Sequence, residues 1–116
     1  MAKKENAHDM VLKIKEEIMA LGSVHPGRVS EQYNVCGSAG CACKDKDNPR
    51  KHGPYFYLSY SFKGRSRTNF IGKENVQEMR LRNERFVELK RLFQELIEAS
   101  IDQAQEDGLR RTKSSE

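Results

Sequence analysis

Apolar residues recur at helical spacing near the start of the chain. They are separated by three, four and three positions, and they are Val11, Ile14, Ile18 and Leu21. That spacing places them on one face of a helix, and Gly22-Ser23 ends the pattern. We therefore predict an amphipathic helix over residues 9–21 that packs in the core, after a disordered polar lead of residues 1–8.

A longer apolar stripe follows in the last third of the chain, in a segment without internal glycine or proline. Its members are Val76, Met79, Phe86, Leu89, Phe93, Leu96, Ile97 and Ile101. The spacings predict one helix from Glu74 to about Gln105, which Gly108 ends before a disordered tail, residues 108–116. Met79, Phe86 and Phe93 recur every seven residues, the spacing of a coiled coil, but two heptads are too few to establish one.

This helix is longer than a small sheet can cover, because about 30 residues span roughly 45 Å. We expect its first part to pack on a sheet. The second half is expected to pack on the N-terminal helix or on another copy of the chain. A homodimer through the long helix is therefore a candidate assembly.

Between the two helices the pattern changes to the alternation that is typical of β-strands. Residues 28–35, which include Val29, Tyr33 and Val35, predict a short strand, and residues 55–71 predict a β-hairpin. We expect the hairpin loop to be Phe62-Lys63-Gly64, with Gly64 in the left-handed conformation.

In that register Ser61 faces Arg65, and the two faces of the hairpin separate. One face carries Phe56, Leu58, Tyr60, Thr68 and Phe70, and the other carries Tyr57, Ser59, Ser61, Arg65, Arg67 and Asn69. A two-residue loop at Lys63-Gly64 would pair Tyr60 with Arg67 and mix the faces, which does not suit a sheet with one solvated side. The predicted fold is a single α+β domain over residues 9–107. Its elements are an N-terminal helix, a short strand, a Cys-rich metal loop, an antiparallel β-hairpin and a long C-terminal helix.

Composition limits how such a fold is stabilised. Of the 116 residues, 36% are hydrophobic and 33% are charged, so the core is small and gains from a staple such as a metal. The net charge of +4 permits a nucleic-acid partner. We see no secretory signal and no apolar run near the roughly 20 residues of a membrane span. We therefore expect a cytoplasmic protein, in which cysteines favour metal binding or free thiols over disulfides.

The three cysteines lie close together, as Cys36-x4-Cys41-x-Cys43. Thiolates and imidazoles bind zinc, usually four in a tetrahedral array. Gly37 and Gly40 are expected to let the loop 36–52 fold around an ion. These features predict a metal site built on the three sulfurs.

The fourth ligand is expected to be His52, at the entry to the hairpin, with His25 as the alternative. We predict one structural Zn²⁺, because four protein ligands leave no open position for water. A thiol redox sensor without metal is the other interpretation, since nearby lysines lower the pKa of a thiol.

Basic and hydrogen-bonding residues predict a nucleic-acid interface. The predicted contact residues are Lys63, Arg65, Arg67 and Asn69 on the hairpin, with Arg50 and Lys51 in the preceding loop. Arginine and lysine bind phosphates, and a two-stranded ribbon fits the major groove of DNA. Arginines at the start of the long helix add charge, although glutamates further along dilute it. A solvated sheet face, kept soluble by its arginines, is the alternative.

No catalytic pattern is present: neither a Ser-His-Asp arrangement nor His-Glu-x-x-His occurs. We therefore expect no catalysis. The sequence predicts a small zinc-stabilised nucleic-acid-binding protein, with DNA as the expected partner, in an accessory or regulatory role. The alternative is a protein-interaction module with structural zinc that dimerises through the long helix.

Several short motifs together resemble a known family. They are Val35-Cys36-Gly37, Gly40-Cys41-Ala42-Cys43, His52-Gly53-Pro54-Tyr55 and Gly64-Arg65-Ser66-Arg67. The combination resembles a family of small prokaryotic domains of unknown function, over roughly residues 24–105. The resemblance implies that His52 is a ligand and that the chain belongs with mobile or phage-related genes. The hairpin is also similar to the small β-sheet DNA-binding modules of some phage integrases.

Overall fold

The helices and strands follow each other in the order that the sequence predicts. The computed structural model describes residues 6–46 and 50–109. Within these ranges the elements are α1 (Ala7–Ala20), β1 (Arg28–Asn34), β2 (His52–Phe62), β3 (Arg65–Ile71) and α2 (Val76–Glu106). Single 3₁₀ turns occupy Ala42–Lys44 and Lys73–Asn75. The predicted α+β class is confirmed.

The predicted disordered ends fall largely outside the described residues, at 1–5 and 110–116. Helix α1 begins at Ala7, two residues before the predicted start. Asn6 caps it, because the Asn6 side-chain oxygen accepts a hydrogen bond from the backbone N–H of Asp9 at 2.8 Å. No helix in the described ranges has the length and apolar character that crossing a membrane requires.

Two compact units make up the chain, one from Met1–Ser23 with Arg85–Glu116 and the other Val24–Glu84. The core of the first unit consists of Val11, Ile14, Leu92 and Ala99, with Ile18, Leu21 and Leu96 packed against it. Helix α1 therefore buries the apolar face that its spacing predicts.

The buried side of α2 differs from the predicted stripe. Leu92, which the stripe omits, is only 2% exposed, whereas Phe93, Ile97 and Ile101 are 53%, 48% and 53% exposed. Helix α1 packs on the side of α2 that carries Leu92 and Ala99. Apolar residues cover more than one side of α2, so their spacing does not identify the buried one.

The second unit contains a three-stranded antiparallel sheet in the order β1-β2-β3. The central strand β2 pairs with β1 from Arg28↔Ser59 to Asn34↔His52. The core of this unit is formed by Leu58, Ile71 and Val76, with Val29, Phe56, Tyr60 and Met79 packed around it. The start of α2 thus covers one face of the sheet, as predicted.

The hairpin between β2 and β3 has a two-residue turn, so the predicted three-residue loop is wrong. Phe62 pairs with Arg65, which leaves Lys63 and Gly64 in the turn. Both turn residues have positive φ, 51° and 77°, as the favoured two-residue hairpin turn requires.

Burial of Ile71 explains the observed register. Ile71 lies opposite Phe56 and is 6% exposed, whereas the predicted register places it on the solvated face. Burying such a side chain stabilises the fold by about 1.5–3 kcal/mol. Mixing apolar and polar residues at the hairpin tip costs little by comparison, because Phe62, Arg65 and Arg67 are exposed there.

The observed register defines two faces of the sheet. The core face carries Val29, Glu31, Phe56, Leu58, Tyr60, Phe62, Arg65, Arg67, Asn69 and Ile71. The open face carries Arg28, Ser30, Gln32, Tyr55, Tyr57, Ser59, Ser61, Ser66, Thr68 and Phe70. The predicted faces are therefore wrong for five residues of β3: Arg65, Arg67, Thr68, Asn69 and Phe70.

Candidate metal centre

Cys36, Cys41, Cys43 and His52 converge at the end of the sheet where β2 begins. Their candidate ligand atoms, three Sγ atoms and one ring nitrogen, all lie within 4.8 Å of one another. Cys43 is buried and the other three residues are half-buried. The structure thus brings together the four residues that the sequence predicts. Their donor set, three thiols and one imidazole, fits a single metal ion.

Short turns position the cysteines. The N–H group of Cys41 donates to the carbonyl oxygen of Ser38 at 3.3 Å. The carbonyl oxygen of Cys41 accepts from the N–H group of Lys44 at 3.0 Å, which closes the 3₁₀ turn that contains Cys43. Backbone hydrogen bonds therefore fix the turns that carry Cys41 and Cys43.

His52 enters the cluster from the sheet. It is the first residue of β2 and pairs with Asn34 after a shift in the register of β1. The N–H group of Arg50 donates to the carbonyl oxygen of Ala42 at 3.0 Å. This bond ties the segment before His52 to the 3₁₀ turn.

The sulfur and nitrogen atoms of the cluster are in direct contact. The Sγ atoms of Cys36 and Cys43 are 3.6 Å apart, and Cys41 Sγ lies 3.1 Å from His52 Nε2. The N–H group of Cys36 donates to the Sγ atom of Cys43 at 3.4 Å. A backbone donor aimed at sulfur stabilises the thiolate form.

The thiols differ in their pKa values. A backbone hydrogen bond from Ser38, with further hydrogen bonds from His52 and the other cysteines, lowers the pKa of Cys36 to about 6. Burial raises the pKa of Cys43. Cys36 is therefore mainly a thiolate at neutral pH, the form that binds metal. A bound cation would favour the loss of the Cys43 proton.

The alternative fourth ligand, His25, lies outside the cluster. Its Nδ1 atom is 2.6 Å from the carbonyl oxygen of Pro26, and its ring stands edge-on to Tyr60 at 4.8 Å between centroids. The Nε2 atom of His8 lies 2.8 Å from an Asp107 carboxylate oxygen. Among the three histidines only His52 contributes to the cluster.

The predicted nucleic-acid contacts form two separate groups. Lys63, Arg65 and Arg67 are exposed at the hairpin tip, and Asn69 is exposed further along β3. Arg50 and Lys51 are exposed beside the metal residues, at the opposite end of β2. The length of β2, 11 residues, separates the groups by roughly 30 Å or more. The structure therefore does not bring all six residues into one patch.

The arginines of α2 make other contacts. Arg82 donates to Glu78 at 2.9 Å, and Arg85 donates to the carbonyl oxygen of Ser23 at 3.2 Å. The guanidinium of Arg80 lies 6.0 Å from the ring centroid of Phe56. These contacts lie along α2 itself or with neighbouring segments, so these three arginines are not part of the hairpin tip, where Lys63, Arg65 and Arg67 are exposed.

An aromatic cavity beside the metal residues is absent from the sequence prediction. It has a volume of about 480 Å³ and is lined by Asn34, Cys36, His52, Tyr55, Tyr57 and Phe70. Tyr57 and Phe70 are cross-strand partners, and their ring centroids are 5.9 Å apart. The two-residue hairpin turn places these two rings opposite each other. The cavity could therefore have been predicted only from the correct register of β2 and β3.

Comparison with known proteins identifies a family but no function. A family model described as Domain of unknown function (DUF6788) matches residues 5–81, more than half of the chain. No curated protein and no solved structure matches the chain. The expected membership of an uncharacterised family is confirmed, although the matched residues differ from the predicted span of roughly 24–105. That the family shares the quoted motifs stays a prediction. The prokaryotic origin and the association with mobile elements stay predictions.

Proposed function

Since the chain belongs to this family of unknown function, we propose its function from its own geometry: a small zinc-stabilised nucleic-acid-binding protein of the cytoplasm. DNA is the expected partner, the role is accessory or regulatory, and no catalysis is expected. One observation carries the proposal. Four ligand atoms converge within 4.8 Å at one end of β2, and the hairpin that β2 begins ends in exposed basic residues.

Zinc is the ion that fits the donor set best. Three thiolates and an imidazole are a common ligand set of structural zinc sites. A tetrahedron with Zn–S bonds of about 2.3 Å separates its sulfur atoms by roughly 3.8 Å, and the Sγ atoms of Cys36 and Cys43 are 3.6 Å apart. The four ligand atoms lie within 4.8 Å of one another, so side-chain rotations would be needed to bring all of them to tetrahedral distances.

The zinc would act as a staple. Its ligands come from the segment after β1, from the 3₁₀ turn and from the first residue of β2. The described cores of the two units are small, with three or four buried apolar residues each. A small domain with so little buried surface depends on such a cross-link. Four protein ligands leave no open position for water, which supports a structural role.

Nucleic acid is the partner that the hairpin tip fits best. Lys63, Arg65 and Arg67 are exposed on the same hairpin, and side chains of this kind contact phosphates. A two-stranded ribbon has the width to enter the major groove of DNA. Arg65 and Arg67 extend from an edge strand, so a duplex can approach them from the side of the sheet.

Two measurements on the full chain test this proposal. Elemental analysis of the purified protein should find about one zinc per chain. Binding to random-sequence DNA should weaken steeply with rising salt, because bound phosphates release counterions. A folded protein without metal would contradict the zinc role and favour the thiol interpretation. Absent or salt-independent DNA binding would contradict the nucleic-acid role.

A second candidate function is dimerisation through α2. Phe93, Ile97 and Ile101 lie on one side of this helix and are about half exposed. Their spacing of four residues keeps them in one stripe. Burial against the same stripe of a second copy would remove these apolar side chains from water. Zinc would then serve only to hold the sheet together.

A further inference from the structure

The open face of the sheet divides into an aromatic end and a hydroxyl end. Near the metal residues, Tyr57 pairs with Phe70, and Tyr55 follows on the same face. Towards the hairpin tip, Ser59 contacts Thr68 with their oxygen atoms 3.3 Å apart, and the hydroxyls of Ser61 and Ser66 are 3.1 Å apart. The face therefore combines flat apolar rings with neutral hydrogen-bonding groups.

The aromatic end is accessible although the core of the unit lies on the other face. Phe70 is 66% exposed, and Tyr55 and Tyr57 are half-buried. The rings of Tyr57 and Phe70 meet at 75°. An exposed phenylalanine in the middle of this face contributes little to the core formed by Leu58 and Ile71, so packing does not explain it.

The cavity at this end has the size of a small-ligand site. Its volume of about 480 Å³ falls in the range of roughly 300–1,000 Å³ that is typical of such pockets. Its rings supply apolar walls, and Asn34 offers amide groups for hydrogen bonds. The proposed metal ligands Cys36 and His52 form the remaining edge, so the cavity adjoins the candidate metal centre. A flat ring with polar edges, such as a nucleobase, matches this combination.

The open face is nearly neutral, and its one charge suits an anionic group. Among its paired residues the only charged one is Arg28, which pairs with Ser59 across β1 and β2, and Ser59 pairs in turn with Thr68 of β3. The acid of β1, Glu31, lies on the core face opposite Phe56. A phosphate backbone therefore meets hydroxyls and a guanidinium on this face, with no carboxylate among the paired residues.

We propose that the open face binds single-stranded nucleic acid, with an unpaired base in the cavity stacked against Phe70 and Tyr57. Aromatic side chains stack on bases only when the bases are unpaired and free of their neighbours. Arg28 and the hydroxyl pairs then contact the adjoining phosphates. This inference rests on the proposed nucleic-acid function and adds a second surface, for unpaired strands, to the hairpin tip that is proposed for duplex DNA.

Paired oligomers test the stacking directly. The zinc-loaded full chain is titrated with fluorescein-labelled oligothymidylate and with an abasic oligomer of equal length, which has the same phosphates and no bases. We expect oligothymidylate to bind at least about fivefold more tightly, since each base–ring stack contributes substantially to affinity. The chain has four tyrosines and no tryptophan, so its fluorescence reports on the tyrosines. We expect oligothymidylate to quench this emission and the abasic oligomer to leave it unchanged.

Ring variants assign the effect to the cavity. Phe70→Leu keeps an apolar side chain and removes the ring, and we expect it to abolish most of the preference for oligothymidylate over the abasic oligomer. Phe62→Leu is the matched control, because Phe62 is 62% exposed on the core face and should retain the preference. Tyr57→Leu provides a second test, and Tyr57→Phe should behave as the wild type. Zinc content and circular dichroism verify that each variant is folded.

The outcomes separate this inference from the proposed function. Equal binding of the two oligomers with normal salt dependence would overturn base stacking and leave phosphate binding intact. A preference that survives Phe70→Leu and Tyr57→Leu would also overturn it. Binding to neither oligomer, with no binding to duplex DNA, would overturn both. A preference lost in Phe70→Leu and kept in Phe62→Leu would establish the site.

Discussion

Cys41 Sγ and His52 Nε2 lie 3.1 Å apart, so a histidine eleven positions after the second cysteine completes the cluster. We predict that His52→Ala lowers the affinity for zinc by at least about tenfold, because removing a ligand affects the site more than removing a supporting partner does. Competition with a zinc-binding dye measures the change.

His8→Ala is the matched control, since His8 is exposed and belongs to the first unit, where it contacts Asp107. His25→Ala tests the alternative ligand and should leave zinc affinity unchanged. If His25→Ala lost zinc while His52→Ala kept it, the assignment from the structure would be wrong.

Removal of the metal should destabilise the sheet. A chelator would remove the proposed metal cross-link between the end of β1 and the start of β2, and folding of small metal domains is coupled to binding. We expect the melting temperature to fall by on the order of 10 °C or more. Cys43→Ser should reproduce the loss without a chelator, because Cys43 is only 2% exposed and central to the site. An unchanged melting curve after verified metal removal would contradict a stabilising role for the metal.

The tip arginines should dominate binding to duplex DNA. The double variant Arg65→Ala, Arg67→Ala is expected to lose affinity and to reduce the slope of log affinity against log salt by about 1 to 2. The control removes two exposed lysines of α1, Lys13→Ala with Lys15→Ala, and so changes net charge by the same amount. Fluorescence anisotropy at several salt concentrations provides both values. Equal losses in the two variants would show a net-charge effect without a specific interface.

A dimer through α2 should depend on one side of the helix. Phe93→Lys places a charge in the exposed stripe with Ile97 and Ile101, and we expect native mass spectrometry to detect monomers where the wild type forms dimers. Val87→Lys is the control, because Val87 is 62% exposed but lies about 120° around the helix from Phe93. A monomeric wild type at all concentrations would refute the dimer.

Substitutions in the hairpin turn should change the stability of the second unit according to how well the new residue tolerates a positive φ. Gly64→Ala is expected to destabilise the second unit by about 1 kcal/mol, because an L residue is strained where φ is 77°. Lys63→Asn should stabilise the second unit, since Asn-Gly is the preferred pair for this turn. Gly40→Ala is the control, as a Cβ there would meet no atom within 4 Å. Urea unfolding monitored by tyrosine fluorescence distinguishes the three.

The Cys/His cluster and the order of the helices and strands could be predicted from the sequence, because the patterns that indicate them are local. Cys41 and Cys43 are almost adjacent, and the helical spacing of Val11 and Ile14 sets one buried face. The packing around Gly37 and Gly40 does not itself require glycine, because a Cβ at either position would meet no atom within 4 Å. Backbone hydrogen bonds in and before the 3₁₀ turn define the conformation of this loop.

The register of β3 and the buried side of α2 could not be predicted, because both depend on contacts between different elements of the fold. Ile71 is buried with Val76, and this contact, five residues apart across a turn, decides which face Phe70 occupies. Leu92 is buried by Val11 and Ile14 of α1. Neither partner can be identified from spacing within a single segment.

The place of β3 at the edge of the sheet has a consequence for solubility. An edge strand offers free backbone groups to which another molecule's strand can add, and charged side chains hinder that addition. Arg65 and Arg67 are the charged residues of β3, and both are exposed. The side chains proposed to bind phosphate therefore also protect the protein from aggregation, and one pair of residues governs both properties.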